Sequence, residues 1–573
     1  MTDYRKLDPI RERAVPLQLD TIEAYMNGRI TRRAFVRRAT VLGLSVSTLA
    51  TVLAACGGDN GGETGAGGQP PQAETGIGGA AIGDEKVQEG GNFRIASIAP
   101  ANPLDPVAMI DLASYAIVAQ SYEFLSYSGS DLKLTPGLAE SWEPNEDGSE
   151  WTFKIREGVT WQDGKPLAMD DIIQSFERNI EFGNSGIKGV IESGGITAPD
   201  EQTIVFTLPR PNGNLPYLVS SDNPQVVVTP ANFEAGSLVD KSPNGTGPWR
   251  MESYNQATGA SFVRNDDWWG GKTKLDTVEW TFFQDLQPQV VALQSGQADA
   301  IVQFSVLGGE GLLSADNINV IRLQSAAHKQ IWMRVDKGQF TDKRVRQALA
   351  YTLDRDAMIQ SLFKGNADKG NDHPFAPVFP FSDDSVPQRE RDVEKAKQLL
   401  SEAGASGITA TLHAVKLQEA PDLAVLVKNN AAEAGFKLNV SVEDGSTFYG
   451  KSWCPPEPKD PPCSGADELG IVDYGHRGVP DVYLNASLST KGAWNSAQYS
   501  SEEYDQAFRD YQASVGVDAQ KAAAGKIEEI LLEDSSTLFP YFFNYLSAHS
   551  DQFANVGATA IGHMFLGNAG RVA

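Results

Sequence analysis

The sequence has few cysteines, and fewer basic than acidic residues. Its 573 residues include three cysteines, Cys56, Cys454 and Cys463, which excludes a disulfide-dense scaffold and a multi-cysteine zinc site. Lys and Arg number 48 against 74 Asp and Glu, a net charge of -26. This charge repels nucleic acid and offers no basic stripe for phosphate groups, so we exclude DNA and RNA as partners. An apolar content of 41% predicts a folded chain of several domains.

Motifs of the common enzyme classes are also absent from the sequence. It has no Gly-x-Ser-x-Gly elbow, no His-Glu-x-x-His pair, no phosphate-binding loop and no dinucleotide-binding glycine fingerprint. The histidines are never three or four residues apart, so no helix presents a pair of metal ligands. Adjacent acids such as Asp170 and Asp171 do not share a helix face. We predict a protein that is not an enzyme and that has no cofactor and no metal.

The N-terminal region predicts export. Arg32 and Arg33 precede a moderately apolar stretch, 39–55, as in twin-arginine signals. A membrane anchor is the alternative, but this stretch is shorter than the about 20 apolar residues that a spanning helix needs. The stretch ends in Leu53-Ala54-Ala55-Cys56, which resembles the bacterial lipobox. The Cys56 thiol is therefore the predicted lipidation site.

This signal predicts how the first part of the chain is divided. Residues 1–55 are the expected signal peptide. Residues 56–91 are Gly-rich with few large apolar side chains, which predicts a flexible tether. A lipid on Cys56 would hold the exported protein at the outer face of the cytoplasmic membrane, in the periplasm or at the cell surface.

The rest of the chain mixes strand and helix patterns, which predicts an α/β fold. Residues 150–156 alternate as a half-buried strand does, and 159–161 predict the second strand of a hairpin. A strand over 410–415, a helix opened by Pro421 and a strand over 436–442 predict a parallel β-α-β unit. Amphipathic helices are predicted over 169–180, 504–512 and 519–533.

Cys454 and Cys463 flank a segment with five prolines. In an exported protein, a disulfide between them would close a small stiff loop and contribute about 2–3 kcal/mol. A thiol metal site and a pair of free thiols are the alternatives. A loop restrained in this way, on a rim, would shape a ligand entrance or touch a partner.

A series of motifs runs through the middle of the chain: Gly137–Trp142, Trp151–Phe153, Arg156–Val159, Asp163–Pro166, Gly245–Trp249, Asn265–Gly271, Leu293–Asp299 and Asp342–Leu349. Together they resemble the signature of the family 5 extracellular solute-binding proteins, the dipeptide- and oligopeptide-binding subunits of ABC importers and their relatives. The resemblance covers nearly all of 92–573. It departs from the family at Ala168, where relatives often carry a Ser or Thr helix cap, so that helix start is expected to be weaker by about 1 kcal/mol.

The resemblance implies a periplasmic-binding-protein-like fold of type II. In such a fold two lobes joined by a hinge close over a ligand, and here an extra third domain is added. Lobe I is expected to be discontinuous, with its pieces at 92–108, 226–322 and 536–573. The extra domain II is expected over 109–225, and lobe II over 323–535.

The same resemblance places the ligand-binding residues in lobe II. Asp473 and Tyr474 lie in a segment similar to that of the peptide binders in which an Asp pairs with the ligand's α-ammonium. The alternative is an Asp that hydrogen-bonds a Gly-rich turn. Arg477 lies in a loop that is longer than usual for the family. It would either neutralise Asp473 or meet a ligand carboxylate.

Aromatic side chains supply further ligand-binding candidates. Trp494 and Asn495 align with a cleft-lining stretch in relatives, where an aromatic wall and an amide suit a peptide or a sugar ring. Core packing is the alternative for Trp494. Trp453, beside the proline-rich segment, is another cleft candidate.

These features lead to one interpretation of function. We expect a lipid-anchored, monomeric solute-binding subunit of an ABC importer that captures short peptides by hinge closure and delivers them to the permease subunits. The alternative is the same role for another solute, such as an oligosaccharide, an opine-like compound or a metal chelate. A sensor or chaperone on the same fold and an exported hydrolase are further alternatives, but no nucleophile or metal constellation favours the hydrolase.

Overall fold

The structure, a computed structural model, describes residues 86–183, 186–241, 243–405, 407–455 and 460–573. The chain divides into a unit of Met1–Gln72 and a unit of Ala73–Ala573, and the described residues belong to the second. The predicted signal peptide, the predicted lipidation site Cys56 and most of the predicted tether lie outside the described residues. Within the described ranges, no helix is both long and apolar enough to cross a membrane.

Two seven-stranded sheets are the largest elements of the fold. Sheet A consists, in spatial order, of Ile318–Leu323, Tyr545–Ser550, Ala300–Ile301, Asn92–Ile98, Thr277–Phe283, Gly259–Arg264 and Trp249–Asn255. Sheet B consists, in spatial order, of Ala367–Lys369, Tyr541–Phe543, His328–Met333, Leu469–Tyr474, Thr409–Val415 and Lys437–Glu443, with Thr537–Leu538 paired to His328–Met333. Both sheets mix parallel and antiparallel pairs. The α/β class predicted from the sequence is therefore confirmed.

A third sheet, sheet C, has four antiparallel strands: Ala139–Pro144, Glu150–Ile155, Thr203–Thr207 and Ile196–Asp200 in spatial order. Its second strand buries Trp151, Phe153 and Ile155, as the alternating pattern predicted. Phe153 and the helical Phe176 both contact Phe206 edge-on, with ring centroids 5.3 and 5.2 Å apart. These aromatic contacts join sheet C to the helix that covers it.

Helices connect and cover the sheets. The longer α-helices are Leu112–Ser121, Met169–Phe182, Leu286–Gln294, Lys343–Thr352, Arg355–Phe363, Val393–Glu402, Ala420–Ala432, Glu502–Ala513 and Val517–Asp534. The short helical segments are Leu215–Leu218, Pro224–Val226, Val306–Gly309, Glu310–Ser314, Gly338–Phe340, Gly445–Thr447, Phe448–Trp453, Asp481–Tyr483 and Leu484–Leu488. The remaining short strands are Val87–Gln88, Ser126–Ser128, Leu134–Pro136, Phe553–Ala554, Gly557–Ala558, Met564–Phe565 and Gly570–Val572.

The helix Met169–Phe182 begins without a capping side chain, because Ala168 occupies the cap position. The Asp171 carboxylate compensates in part: its Oδ2 accepts from the Ala168 backbone N–H at 2.9 Å. Asp171 also accepts from the Trp161 indole and from the Ala231 backbone N–H. One acid in the first turn thus ties the helix start to two neighbouring segments.

The predicted β-α-β unit is confirmed. Thr409–Val415 pairs in parallel with Lys437–Glu443, and the helix Ala420–Ala432 connects them. Its apolar face buries Leu423, Val427 and Ala431. The regular alternation of the strands and the 3.6-residue period of the helix are local signals. The sequence alone therefore predicted this unit correctly.

The chain passes between sheets A and B through two adjacent segments. Residues 324–327 connect Leu323 of sheet A to His328 of sheet B, and Asn544 connects Phe543 back to Tyr545. The segments contact each other, since the Phe543 N–H donates to the Ala327 carbonyl at 2.9 Å. Paired crossings of this kind are what the hinge of a two-lobed protein requires.

Two sequence predictions differ from the structure. Residues 159–161 form no strand: a single antiparallel bridge joins Thr160 to Pro166 around a turn at 162–164, because the chain reverses before a ladder can extend. Residues 537–543, predicted in lobe I, pair with His328–Met333 and Ala367–Lys369 in sheet B. After sheet B, the chain therefore returns to sheet A at Tyr545.

Candidate functional site

A cavity of about 760 Å³ lies between residues of sheets A and B, beside the two crossing segments. We call it the central cavity. Its wall includes Ser97 and Ile98 at the end of one strand of sheet A, and Lys329 and Asp473 on neighbouring strands of sheet B. Tyr474, His476 and Arg477 also line it. Of the residues predicted to bind ligand, the structure brings Asp473, Tyr474 and Arg477 to this cavity.

Asp473 lies near the end of the strand Leu469–Tyr474. The Tyr449 hydroxyl donates to its Oδ1 at 2.6 Å. Among the described residues no donor contacts Oδ2, so one carboxylate oxygen is held in place while the other can receive a ligand donor. Burial and the adjacent Asp473 carboxylate raise the pKa of Tyr449 above its ordinary value, which keeps its hydroxyl a donor near neutral pH.

Lys329 lies directly across the ladder from Asp473 but its ammonium contacts other groups. The Lys329 side chain is 1% exposed, and its Nζ lies 3.3 Å from Oε1 of Glu419 and 3.1 Å from Oε1 of Gln418. It also lies over the Phe543 ring, 4.8 Å from the centroid. Glu419 and Gln418, and not Asp473, are therefore the polar partners of the Lys329 ammonium.

Arg477 and His476 follow the strand that carries Asp473. His476 Nδ1 accepts from the Ala326 backbone N–H at 3.0 Å, which ties this loop to a crossing segment. Burial, together with the Arg477 charge, lowers the pKa of His476 to about 3, so the imidazole is neutral. Arg477 donates to the His476 carbonyl at 2.7 Å, and no described carboxylate lies within ion-pair distance of it. Arg477 therefore does not neutralise Asp473.

Trp494, Asn495 and Trp453 do not line the central cavity. The Asn495 amide is engaged locally: it donates to the Ser489 and Tyr499 carbonyls and accepts from the Tyr499 N–H. Both the nitrogen and the oxygen of the Asn495 side chain are thus bonded to nearby backbone groups. The interpretation of Asn495 as a cleft-facing amide is therefore wrong.

The two tryptophans contact aromatic neighbours, of which Tyr474 lines the central cavity and Tyr449 does not. The Trp494 ring lies 5.9 Å from that of Tyr474, and Trp453 contacts Tyr449 edge-on at 5.7 Å. The core-packing alternative therefore describes Trp494 better than direct contact in this cavity.

Cys454 and Cys463 form a disulfide. Both sulfurs lie against the Ala493 carbonyl, and Gln498 donates to the Pro462 carbonyl at 2.7 Å. The disulfide and Pro462 thus lie against the segment that carries Trp494. Among the described residues, no cluster of three His, Cys, Asp or Glu side chains is arranged to hold a metal ion.

Comparison with known proteins decides the family. Residues 133–453 match the family model of the bacterial extracellular solute-binding proteins, family 5 Middle. The chain belongs to this family. The resemblance inferred from the sequence motifs is confirmed, and the two-sheet architecture with its paired crossings is the fold of this solute-binding protein.

Relatives and solved structures agree with the family assignment. The chain is 25% identical over 498 residues to the oligopeptide-binding protein AppA of Bacillus subtilis, covering 80% of this chain and 87% of that one. It is 23% identical over 500 residues to heme-binding protein A of Haemophilus influenzae, with coverages of 80% and 87%. The structure of the ABC transporter substrate-binding protein CtaP from Listeria monocytogenes matches with a TM-score of 0.75 and 21% identity, covering 85% and 100%. The type II two-lobed fold is thereby confirmed.

Proposed function

We propose that this chain captures short peptides outside the cytoplasmic membrane and delivers them to the permease of an ABC importer. The observation that carries the proposal is the central cavity, in which Asp473 presents an anionic oxygen and Arg477 a cation without a carboxylate partner. A free peptide carries the complementary charges at its two ends. The oligopeptide-binding relative supports a peptide as the ligand.

Asp473 is the proposed partner of the ligand's α-ammonium. The Tyr449 hydroxyl fixes the carboxylate, so little ordering remains when the ligand arrives. A charge-assisted hydrogen bond in such a site contributes about 1.5–3 kcal/mol. We propose that Tyr474 forms part of the aromatic wall beside this contact, with Trp494 and Trp453 behind it.

Arg477 is the proposed partner of the ligand carboxylate. Its guanidinium matches a carboxylate in geometry and always carries its charge. Asp473 and Arg477 are four residues apart in the chain, so their α-carbons lie within about 14 Å of each other. That spacing favours a peptide of a few residues over a long one.

Closure of the two lobes is the proposed mechanism. Contacts from both sheets favour the closed state over the open one, and the two crossing segments act as the hinge. We propose that sheet A belongs to lobe I and sheet B to lobe II, with domain II around sheet C. The closed surface would then dock on the permease.

The N-terminal features complete the proposal. We propose that the mature, monomeric chain is anchored by a lipid on Cys56, and that 56–91 serve as its tether. No chemistry on the ligand is proposed, because capture and release need only binding contacts.

Native mass spectrometry of the purified, never refolded protein tests the proposal. A co-purified mass that fragments as a short peptide is expected. Thermal shift with defined peptides should then show stabilisation that disappears when the peptide N-terminus is acetylated, since acetylation removes the ammonium. A heme, sugar or metal-chelate mass, with no response to peptides, would instead assign this protein to another solute.

A further inference from the structure

A second, smaller cavity adjoins the central cavity. Its volume is about 190 Å³, and it shares four lining residues with the larger one: Ile110, Tyr115, Arg477 and Ile561. We call it the side pocket. Because the two cavities share a wall, a solute in the central cavity can extend one substituent into the side pocket.

Most of the side pocket is lined by apolar and aromatic groups. Tyr217 and Leu218 belong to the short helix Leu215–Leu218, and Val479 and Val482 follow Arg477. Such a wall suits the methylene groups of a long side chain and excludes water from its end. Burial raises the pKa of Tyr217 above its ordinary value, so this hydroxyl is uncharged at neutral pH.

Asp222 is the acid of the side pocket. The residue is 8% exposed, and its Oδ2 is buried without a hydrogen-bond partner among the described residues. Burial raises the pKa of its carboxyl to about 7, opposed only by the Ser128 hydroxyl. No described cation lies within ion-pair distance of it. A buried acceptor left unpaired is costly, so a site that retains one is expected to receive a donor from outside.

The backbone around Asp222 keeps its carboxyl at the pocket wall. Its N–H donates to the Ser220 hydroxyl at 3.1 Å. Gly478 lies directly against the carboxyl, and a Cβ at position 478 would overlap it. The absence of a side chain at Gly478 therefore creates the space that Asp222 occupies beside the ligand-binding loop.

We propose that the side pocket binds a side chain of the captured peptide that ends in a cationic donor, an ammonium or a guanidinium, on an aliphatic stem. The stem would contact the apolar wall and the faces of Tyr115 and Tyr217, and the cation would bind the Asp222 carboxylate. Arg477 lines the shared wall with the central cavity, whereas Asp222 lines only the side pocket. The net charge of -26 favours cationic ligands in addition. The inference rests on the proposed peptide function.

Binding of the cation would release a proton from Asp222. Tyr115, Tyr217 and Arg477 are the other titratable or charged groups of the pocket wall, and Asp131 acts on Tyr217 from behind it. The pKa of both tyrosines is raised, and arginine keeps its charge, so Asp222 is the group that changes ionisation. Its protonated carboxyl becomes a carboxylate paired with the ligand, and the proton passes to the buffer.

Calorimetric titration of the full-length protein tests the proposal. Tripeptides of alanine with a single lysine at each position in turn are compared with the same peptides carrying norleucine. We expect at least one lysine peptide to bind about ten-fold or more tightly than its norleucine counterpart. Titration in buffers of different ionisation heat should show proton release that is larger at about pH 6 than at about pH 8.5.

Two variants distinguish a specific role of Asp222 from the general effect of removing a buried acidic side chain. Asp222→Asn should remove the lysine preference and the proton release while leaving binding of the norleucine peptide unchanged. Asp240→Asn is the control for a buried acid outside both cavities: the Asp240 side chain is 8% exposed, its Oδ1 is buried without a partner among the described residues, and its Oδ2 pairs with Lys241 at 3.3 Å. It should bind both peptides as the parent does.

The outcomes are distinguishable. Equal affinity for lysine and norleucine peptides at every position overturns the cationic side pocket but keeps the peptide function. Binding of no peptide at all overturns the proposed function and this inference together. If Asp222→Asn fails to fold, the comparison of peptides and the proton release of the parent protein still decide the matter.

Discussion

The buried pair of Lys329 and Glu419 allows a quantitative prediction. The Lys329 side chain is 1% exposed and that of Glu419 10%. Replacing Glu419 by Gln removes the counter-charge and leaves the ammonium in the protein interior with neutral partners: the new amide oxygen, Gln418 and the Phe543 ring. Removal of one member of a buried ion pair costs about 3–5 kcal/mol, and these neutral contacts place this case at the lower end, about 3 kcal/mol.

Urea unfolding followed by tryptophan fluorescence measures this cost. Glu419→Gln should lower the free energy of unfolding by about 3 kcal/mol. Adding Lys329→Met removes the unpaired ammonium and keeps the length of the side chain, so the double variant should recover most of that loss. Glu533→Gln, which breaks an exposed pair with Lys343, should cost less than about 1 kcal/mol. An unchanged midpoint for Glu419→Gln, or a double variant no more stable than it, would refute the reasoning.

Three further predictions concern stability. Gly478→Ala should lower the free energy of unfolding by about 1–3 kcal/mol, as followed by urea unfolding, and Asp222→Ala should restore part of it because the added Cβ overlaps that carboxyl. Replacing both Cys454 and Cys463 by Ser should cost about 2–3 kcal/mol, and dithiothreitol should match this loss in the parent protein but not in the variant. Burial raises the pKa of the Glu528 carboxyl to about 8, so the free energy of unfolding falls as pH rises from about 4.5 to about 8. Thermal unfolding across that range should show a smaller fall in melting temperature for Glu528→Gln than for the parent protein.

The sequence alone predicted the secondary structure correctly where neighbouring residues carry the pattern. The unit formed by Thr409–Val415, Ala420–Ala432 and Lys437–Glu443 follows from alternation and helical period within about 35 residues. Residues 536–573 were expected together in lobe I, whereas 537–543 pair with strands of sheet B, because an apolar strand carries no local signal that identifies its partner. Their pairing with His328–Met333 depends on tertiary contacts between distant segments.

The candidate site was predicted only in part, again because some of its contacts join segments that are distant in the sequence. Asp473 and Arg477 were predicted to bind ligand because they lie in one family-like segment, and the structure brings both to the central cavity. Lys329 and Glu419 are 90 positions apart, and neither segment carries a sequence signal that identifies the other as its partner. Asn495 was misassigned because alignment cannot show that a loop backbone already uses its amide.

The most direct test of the central claim is the affinity of the Asp473→Asn protein for a short peptide, measured by calorimetry. Asn keeps the oxygen that accepts from Tyr449 but removes the charge. The account predicts about 10- to 150-fold weaker binding, no further loss when the peptide is N-acetylated, and unchanged unfolding. Asp551→Asn, an exposed acid outside the cavity, should bind as the parent does. Parent-like peptide affinity in the Asp473→Asn protein would contradict the account.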